Sequence, residues 1–136
     1  MTDRQTIPDS HKDLLQAAIG LLATNGRNGL PQLTAISYIY DEDDDRIKIS
    51  LNDTRQKTIN LQRDPHTTLF IFDPKNPYRT LEVRARAELN PDKDFTFAAS
   101  VGAKFGADVR AYDQPGETRS IVVLHPIRIV ATEVGA

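Results

Sequence analysis

Arg55 and Lys57 are the residues of this chain whose types and spacing most suggest ligand chemistry. They lie in the stretch Asn52 to Asp64, NDTRQKTINLQRD, directly after an alternating run from Arg46 to Leu51. Asp53 or Thr54 can cap a helix there, and Asp53 with Gln56 three residues later has the spacing of a capping box. Both cations then fall in the first helical turn. There, unpaired N–H groups and the positive end of the macrodipole disfavour added positive charge by roughly 0.3–1 kcal/mol each. A phosphate or carboxylate held at that corner turns the repulsion into attraction. Two solvated surface cations, partly offset by Asp53 or Asp64, produce the same pattern, and the residues alone leave both readings open.

Nothing else in the chain reads as catalytic. There is no GxxxxGKS/T loop, no GxGxxG, no GxSxG and no HExxH. Cysteine is absent, which removes disulfides, thiolate metal sites and a thiol nucleophile. His11, His66 and His125 are scattered without ligand spacing. His125 in the last strand fits a hydrogen-bonded core or interface histidine better than a metal ligand. Carboxylates cluster only at Asp41-Glu42-Asp43-Asp44-Asp45, which lacks the spacing and glycine of an EF-hand and reads as an exposed turn. An anion grip without legible catalytic groups suits a phosphorylated cofactor, because the cofactor then carries the reaction and the protein supplies binding and orientation.

The elements that must position this grip are mostly strands. A short helix is expected from about His11 to Ala18, capped by Asp9 or Ser10, followed by a strand from Ile19 to Thr24. Asn25-Gly26-Arg27-Asn28-Gly29 is a strong hairpin turn into a second strand, Leu30 to Tyr40, apolar on both faces. After the acidic turn comes the strand Arg46 to Leu51, then the helix bearing Arg55 and Lys57, stopped by Asp64-Pro65. A strand from Thr67 to Phe72 leads into the proline-stiffened loop Asp73 to Pro77. That loop presents Tyr78 and Arg79 either to a ligand or simply as the start of the next strand. From Arg79 to Leu89 the alternation is clean, with Leu81, Val83, Ala85, Ala87 and Leu89 inward. Asn90-Pro91-Asp92 has the form of a helix start, Phe97, Ala98, Val101 and Phe105 form its apolar stripe, and Gly102 or Gly106 can end it.

The final strand, Arg119 to Glu133, is expected to turn Ile121, Val123, Ile127, Ile129 and Ala131 inward, with a bulge, bend or edge position at Pro126. Its other face is too apolar for water, which points to a closed barrel or a subunit interface. Six strands, hairpin turns and few helices favour an antiparallel barrel with peripheral helices over a doubly wound parallel sheet.

Composition agrees with one soluble domain spanning 1–136. Hydrophobic residues are 39% and charged residues 26%, ordinary globular values, so extensive disorder is not expected. A net charge of −2 offers no basic field, and no nucleic-acid partner is expected. The polar first residues lack an apolar leader core, and no apolar run approaches the roughly 20 residues of a membrane span. A cytoplasmic protein without a membrane partner is the expectation.

The succession "strand, NDTRQKTINLQRDP, strand, DPKNPYRTLEVRARAEL" resembles the flavin- and deazaflavin-binding split β-barrels of the pyridoxamine 5′-phosphate oxidase-like superfamily. Within it the chain most resembles the deazaflavin-dependent oxidoreductases of the B class, which bind coenzyme F-420. The likeness runs from about Leu15 to Val130. It implies a six-stranded Greek-key split barrel of the FMN-binding type, forming a homodimer with two cofactor sites at the interface. It implies that Arg55 and Lys57 grip the cofactor phosphate, with Ser50 beside them and Asn60 one turn further along the helix. Ile36 and Ser37 then lie near the ring system, and Tyr78 and Arg79 reach the site from the partner subunit.

The activity implied is hydride transfer from reduced F-420 to an unsaturated organic acceptor, with no catalytic side chain assigned. The alternatives are an FMN-dependent oxidase or flavin reductase of the same fold, or a non-enzymatic carrier of a cofactor or haem. The chain departs from the family in having Ala85 where glycine is frequent, RARAE rather than RGRAE, an added methyl that could alter packing near the ring. Pyridoxamine phosphate oxidation itself is not expected, because the longer C-terminal substrate-binding segment of those oxidases has no counterpart here.

Overall fold

The computed structural model describes residues 6–17 and 19–134. In chain order it has a 3₁₀ helix (Asp9–Gln16), β1 (Ile19–Asn25), β2 (Pro31–Ser37), β3 (Ile39–Asp41), β4 (Arg46–Asn52) and α1 (Gln56–Arg63). There follow β5 (His66–Asp73), β6 (Asn76–Pro91), α2 (Thr96–Phe105) and β7 (Arg119–Glu133). The strands pair antiparallel in one sheet ordered β2-β1-β5-β6-β7-β4-β3. The two edge strands, β2 and β3, are separated in sequence only by Tyr38. One uninterrupted piece of chain therefore reaches from edge to edge, and the sheet must curl into a split β-barrel. No helix among the described residues is long and apolar enough to cross a membrane.

Tyr38 is the reason for seven strands where six were expected. Residues on its N-terminal side pair with β1 and those on its C-terminal side pair with β4. Its side chain is fully buried, and its hydroxyl donates to the Leu14 carbonyl at 2.8 Å, tying the pivot to the 3₁₀ helix. Tyr38→Phe is expected to lower stability by about 1 kcal/mol, because a buried carbonyl loses one of its donors. Urea unfolding with an unchanged m-value measures this, and an unchanged midpoint would show that the pivot does not depend on the bond.

The core lies inside the curl. On β6, Leu81, Val83, Ala85 and Ala87 are buried as expected, while Leu89 is half-buried. On β7 the expected inward set is corrected in part. Val122 and Leu124 are buried, Ile121 and Val123 are half-buried, and Ile127 is 46% exposed, while Ile129 is buried. The cause is a bulge: Ala85 pairs with Pro126 and Arg84 with Arg128, so Ile127 is an extra residue and the inward parity reverses there.

Other boundaries also differ. The 3₁₀ helix is capped by Pro8 without a side-chain bond rather than by Asp9 or Ser10, and it ends at Gln16, while Ala18 lies outside the described residues. Buried His11 bonds the Thr132 carbonyl through Nε2 at 2.9 Å and Ser10 through Nδ1 at 2.8 Å. Asn76 and Pro77 already belong to β6, which shrinks the expected loop to Pro74-Lys75. Asn90 and Pro91 also stay in β6, paired with Ile121 and Ser120, so α2 starts at Thr96 rather than at Pro91. Asp92 still serves that helix, its carboxylate accepting from the Phe97 and Ala98 N–H groups at 3.2 and 2.9 Å, and Gly106 ends it in the left-handed region.

Candidate cofactor site

The corner between β4 and α1 is built by Asn52. Its side-chain oxygen accepts from the Thr54 N–H at 2.8 Å and the Thr54 hydroxyl at 2.7 Å, and its carbonyl accepts from the Arg55 N–H at 3.1 Å. The Thr58 hydroxyl also donates to that carbonyl, at 2.7 Å. This turn delays the helix until Gln56, with Arg55 as its N-cap in extended conformation. The expected cap by Asp53 or Thr54 is therefore corrected. Asp53 stands too far ahead of the first turn, and its carboxylate accepts instead from the Thr118 and Ser120 hydroxyls on the way into β7. No side chain caps α1, so its first N–H groups remain available beside Arg55 and Lys57.

A cavity of about 240 Å³ opens at this corner, lined by Ile36 and Ser37 from β2, by Ser50, Leu51 and Asn52 from β4, and by Arg55 and Lys57. Its other walls are Val101 on α2, Val109, Tyr112 and Asp113 on the connection to β7, and Arg119 at the start of β7. Lys57 is half-buried and has no carboxylate partner among the described residues. Burial, together with the neighbouring Arg55 and Arg119 charges, holds its ammonium below the usual lysine pKa. Three cations, Arg55, Lys57 and Arg119, thus line a cavity that also carries the apolar side chains Ile36, Leu51, Val101 and Val109.

Arg119 is fixed rather than free. Its Nη1 donates to both oxygens of Asp113 at 2.8 and 3.0 Å, and its Nε donates to the Ser50 hydroxyl at 3.0 Å. Asn52 Nδ2 adds a bond to the same carboxylate at 2.9 Å. Burial opposes ionisation of Asp113, but the bonds from Asn52 and Arg119 outweigh it and leave its pKa below the ordinary carboxylate value.

Of the residues expected at a site, Ile36, Ser37, Ser50, Arg55 and Lys57 are brought together in this one cavity. Asn60 faces away from it. Buried against the β1–β2 hairpin, it donates to Thr24 Oγ1 and Gln32 Oε1 and accepts from Gln56. Tyr78 is exposed and lies outside the cavity, and Arg79 is engaged in its own chain by Asp13, Asp73 and the Ser10 carbonyl. Ala85 is buried in the core, paired across the sheet with Pro126, and is not part of the cavity wall. The three histidines bond Thr132, Asp64 and Glu88 respectively, and none lines the cavity. Sequence reading missed Arg119, Asp113, Asn52 and Tyr112. The available signal was weak: two opposite charges six residues apart, bracketing a polar connection.

Fold and cavity together define a split β-barrel protein with a cation-lined cavity at the start of its first α-helix. The family model described as pyridoxamine 5′-phosphate oxidase matches residues 7–132, and the chain belongs to that family. Among solved structures it is similar to an F420 reductase, at 28% identity and a TM-score of 0.78, covering 91% of this chain and 98% of that one. It is also similar to the conserved hypothetical protein Rv2991 from Mycobacterium tuberculosis, at 20% identity, TM-score 0.73 and coverages of 98% and 90%. A third likeness is HupZ from Group A Streptococcus, at 20% identity, TM-score 0.71 and coverages of 96% and 98%. The last two share the fold.

Proposed function

We propose that this chain is an oxidoreductase that binds coenzyme F-420 and reduces an unsaturated or conjugated organic acceptor. One observation carries the reading: Lys57, half-buried and without a carboxylate partner among the described residues, stands beside Arg55 at an uncapped helix start on a cavity partly lined by apolar side chains. Such a corner stabilises a phosphate through charge-assisted bonds and backbone N–H groups together. When bound, the reduced deazaflavin ring supplies the hydride. Arg55 and Lys57 hold the phosphate end, Ile36, Leu51 and Val101 exclude water from the ring, and Ser37 and Ser50 offer hydroxyls to its polar edge. The 28% identity to an F420 reductase supports this choice of cofactor. Family membership equally favours FMN, which presents a phosphate and a flat ring to the same residues.

The protein works as a homodimer in this reading. About 240 Å³ in one chain is small against the roughly 300–1,000 Å³ of ligand pockets, so a second copy completes the walls. Tyr78, whose exposed side chain has no partner among the described residues, is the residue available to reach a partner's site, whereas Arg79 is held at home.

The test is a fluorescence titration of the purified protein with F-420, in parallel with FMN, followed by turnover against an acceptor panel. Saturable micromolar F-420 binding with weaker FMN binding and acceptor reduction is expected. FMN binding without F-420 binding moves the chemistry to flavin, binding without turnover leaves a carrier, and binding of neither removes the proposal.

A further inference from the structure

Resting on the anion grip of the reading above, and on no particular cofactor, we infer that Lys57 forms a reversible imine with phosphorylated aldehydes. The corner then takes such molecules covalently, in competition with its cofactor.

The chain has six lysines, and their surroundings differ. Lys12 bridges Asp9, and Lys48 bridges Asp41 and Asp44, so both amines are held as charged partners. Lys75, Lys93 and Lys104 are exposed. Lys57 is half-buried, lines a cavity and forms no salt bridge among the described residues. The other charged groups on that cavity are Arg55, Asp113 and Arg119. Asp113 is already engaged by Arg119 and Asn52, so no carboxylate of the cavity is left to hold Lys57 as ammonium. Burial first, then the Arg55 and Arg119 charges, depress the pKa of the amine. A lysine partly desolvated beside other cations is a better nucleophile than an exposed one, because more of it carries a free lone pair at neutral pH.

The same cavity supplies an anion-binding group two residues away. Arg55 is exposed, forms no salt bridge among the described residues and lines the cavity together with Lys57. A phosphate resting on Arg55 brings a tethered carbonyl to Lys57 Nζ at an effective concentration well above that in solution. The step balances without a further reactant. The Nζ lone pair adds to the carbonyl carbon, the carbinolamine gives up water, and a C=N bond replaces C=O. A neutral aldehyde brings the carbonyl without the group that Arg55 holds. Inorganic phosphate brings the anion without a carbonyl.

The test incubates the purified protein with glycolaldehyde phosphate or with glycolaldehyde, fixes imines as secondary amines with cyanoborohydride, and maps the labelled lysines by peptide mass spectrometry. Lys57 is expected to be labelled at least about tenfold faster by the phosphorylated aldehyde than by glycolaldehyde, and at least about fivefold faster than any other lysine. Inorganic phosphate should suppress this label and leave the other lysines unaffected. Lys57→Arg, which keeps the charge and removes the amine, should abolish the label, and Arg55→Ala should shrink the preference for the phosphorylated probe. Even labelling of all lysines, equal rates with the two probes, or a Lys57 label that survives inorganic phosphate would overturn the inference.

Parallel titration with F-420 and FMN separates the two readings. If neither cofactor binds while Lys57 takes the phosphorylated aldehyde selectively, the cofactor reading fails and the imine site stands. If either cofactor binds while Lys57 stays unlabelled, only the imine site fails. Where both hold, the bound cofactor should protect Lys57 from the probe.

Discussion

Asp113→Ala is expected to destabilise the protein by about 3 kcal/mol, which lowers the melting temperature by roughly 10 °C. The side chains of Asp113 and Arg119 are almost fully buried, and the carboxylate receives two bonds from Arg119 and one from Asn52. Truncation leaves a buried guanidinium without its counter-charge, which is the costly way to break such a pair. Replacing both partners, as in Asp113→Ala with Arg119→Met, should lose less than the two single effects added, because no charge is then stranded. The pH dependence has a definite sign. The folded pKa of Asp113 is depressed, so its contribution is present above the unfolded carboxylate value, about pH 4, and disappears as pH falls through the lower folded value. Thermal unfolding of wild type and variant reads both effects, and an unchanged melting temperature at neutral pH would contradict them.

Lys57→Ala is expected to weaken cofactor binding at least tenfold, about 1.4 kcal/mol. The ammonium is held below its usual pKa by burial and by Arg55 and Arg119, so the free protein strains to keep three like charges together. A bound anion favours the charged lysine. Affinity should therefore be full at neutral pH and fall as pH rises through the Lys57 pKa of the free protein. Arg55→Ala should have a smaller effect, because Arg55 is exposed and its charge is screened by solvent. Equal affinities of wild type and Lys57→Ala would remove the grip.

Much of the barrel is legible in the sequence because its strands obey a two-residue alternation. In β6 the alternation of Leu81, Val83, Ala85 and Ala87 with charged residues specifies an inward face directly. Alternation cannot reveal where parity changes. Ile127 looks as apolar as Ile129, and only pairing with β6 shows that a bulge turns it outward. Tyr38 likewise continues the pattern of β2, and its role as pivot depends on the distant Leu14 carbonyl.

At the site, Arg55 and Lys57 lie together because they share one strand-to-helix corner, while Ile36, Ser37 and Ser50, expected only from the family resemblance, line the same cavity from β2 and β4. The cap was misread because Asn52, rather than Asp53, shapes that corner through both its side chain and its carbonyl. Arg119 and Asp113 were invisible for a different reason. Their pairing is read only once β7 lies beside β4, where Ser50 and Asn52 meet them.

The most direct test of the phosphate grip compares ligands with and without the phosphate-bearing tail. Wild type and Lys57→Ala are titrated with F-420 and with its ring-and-sugar portion lacking the phosphate and side chain. Binding through the α1 corner predicts that wild type prefers the phosphorylated ligand by at least about tenfold and that Lys57→Ala loses most of this preference, while both bind the phosphate-free ring alike. Equal affinity of wild type for the two ligands, or a preference that survives in Lys57→Ala, would contradict the account.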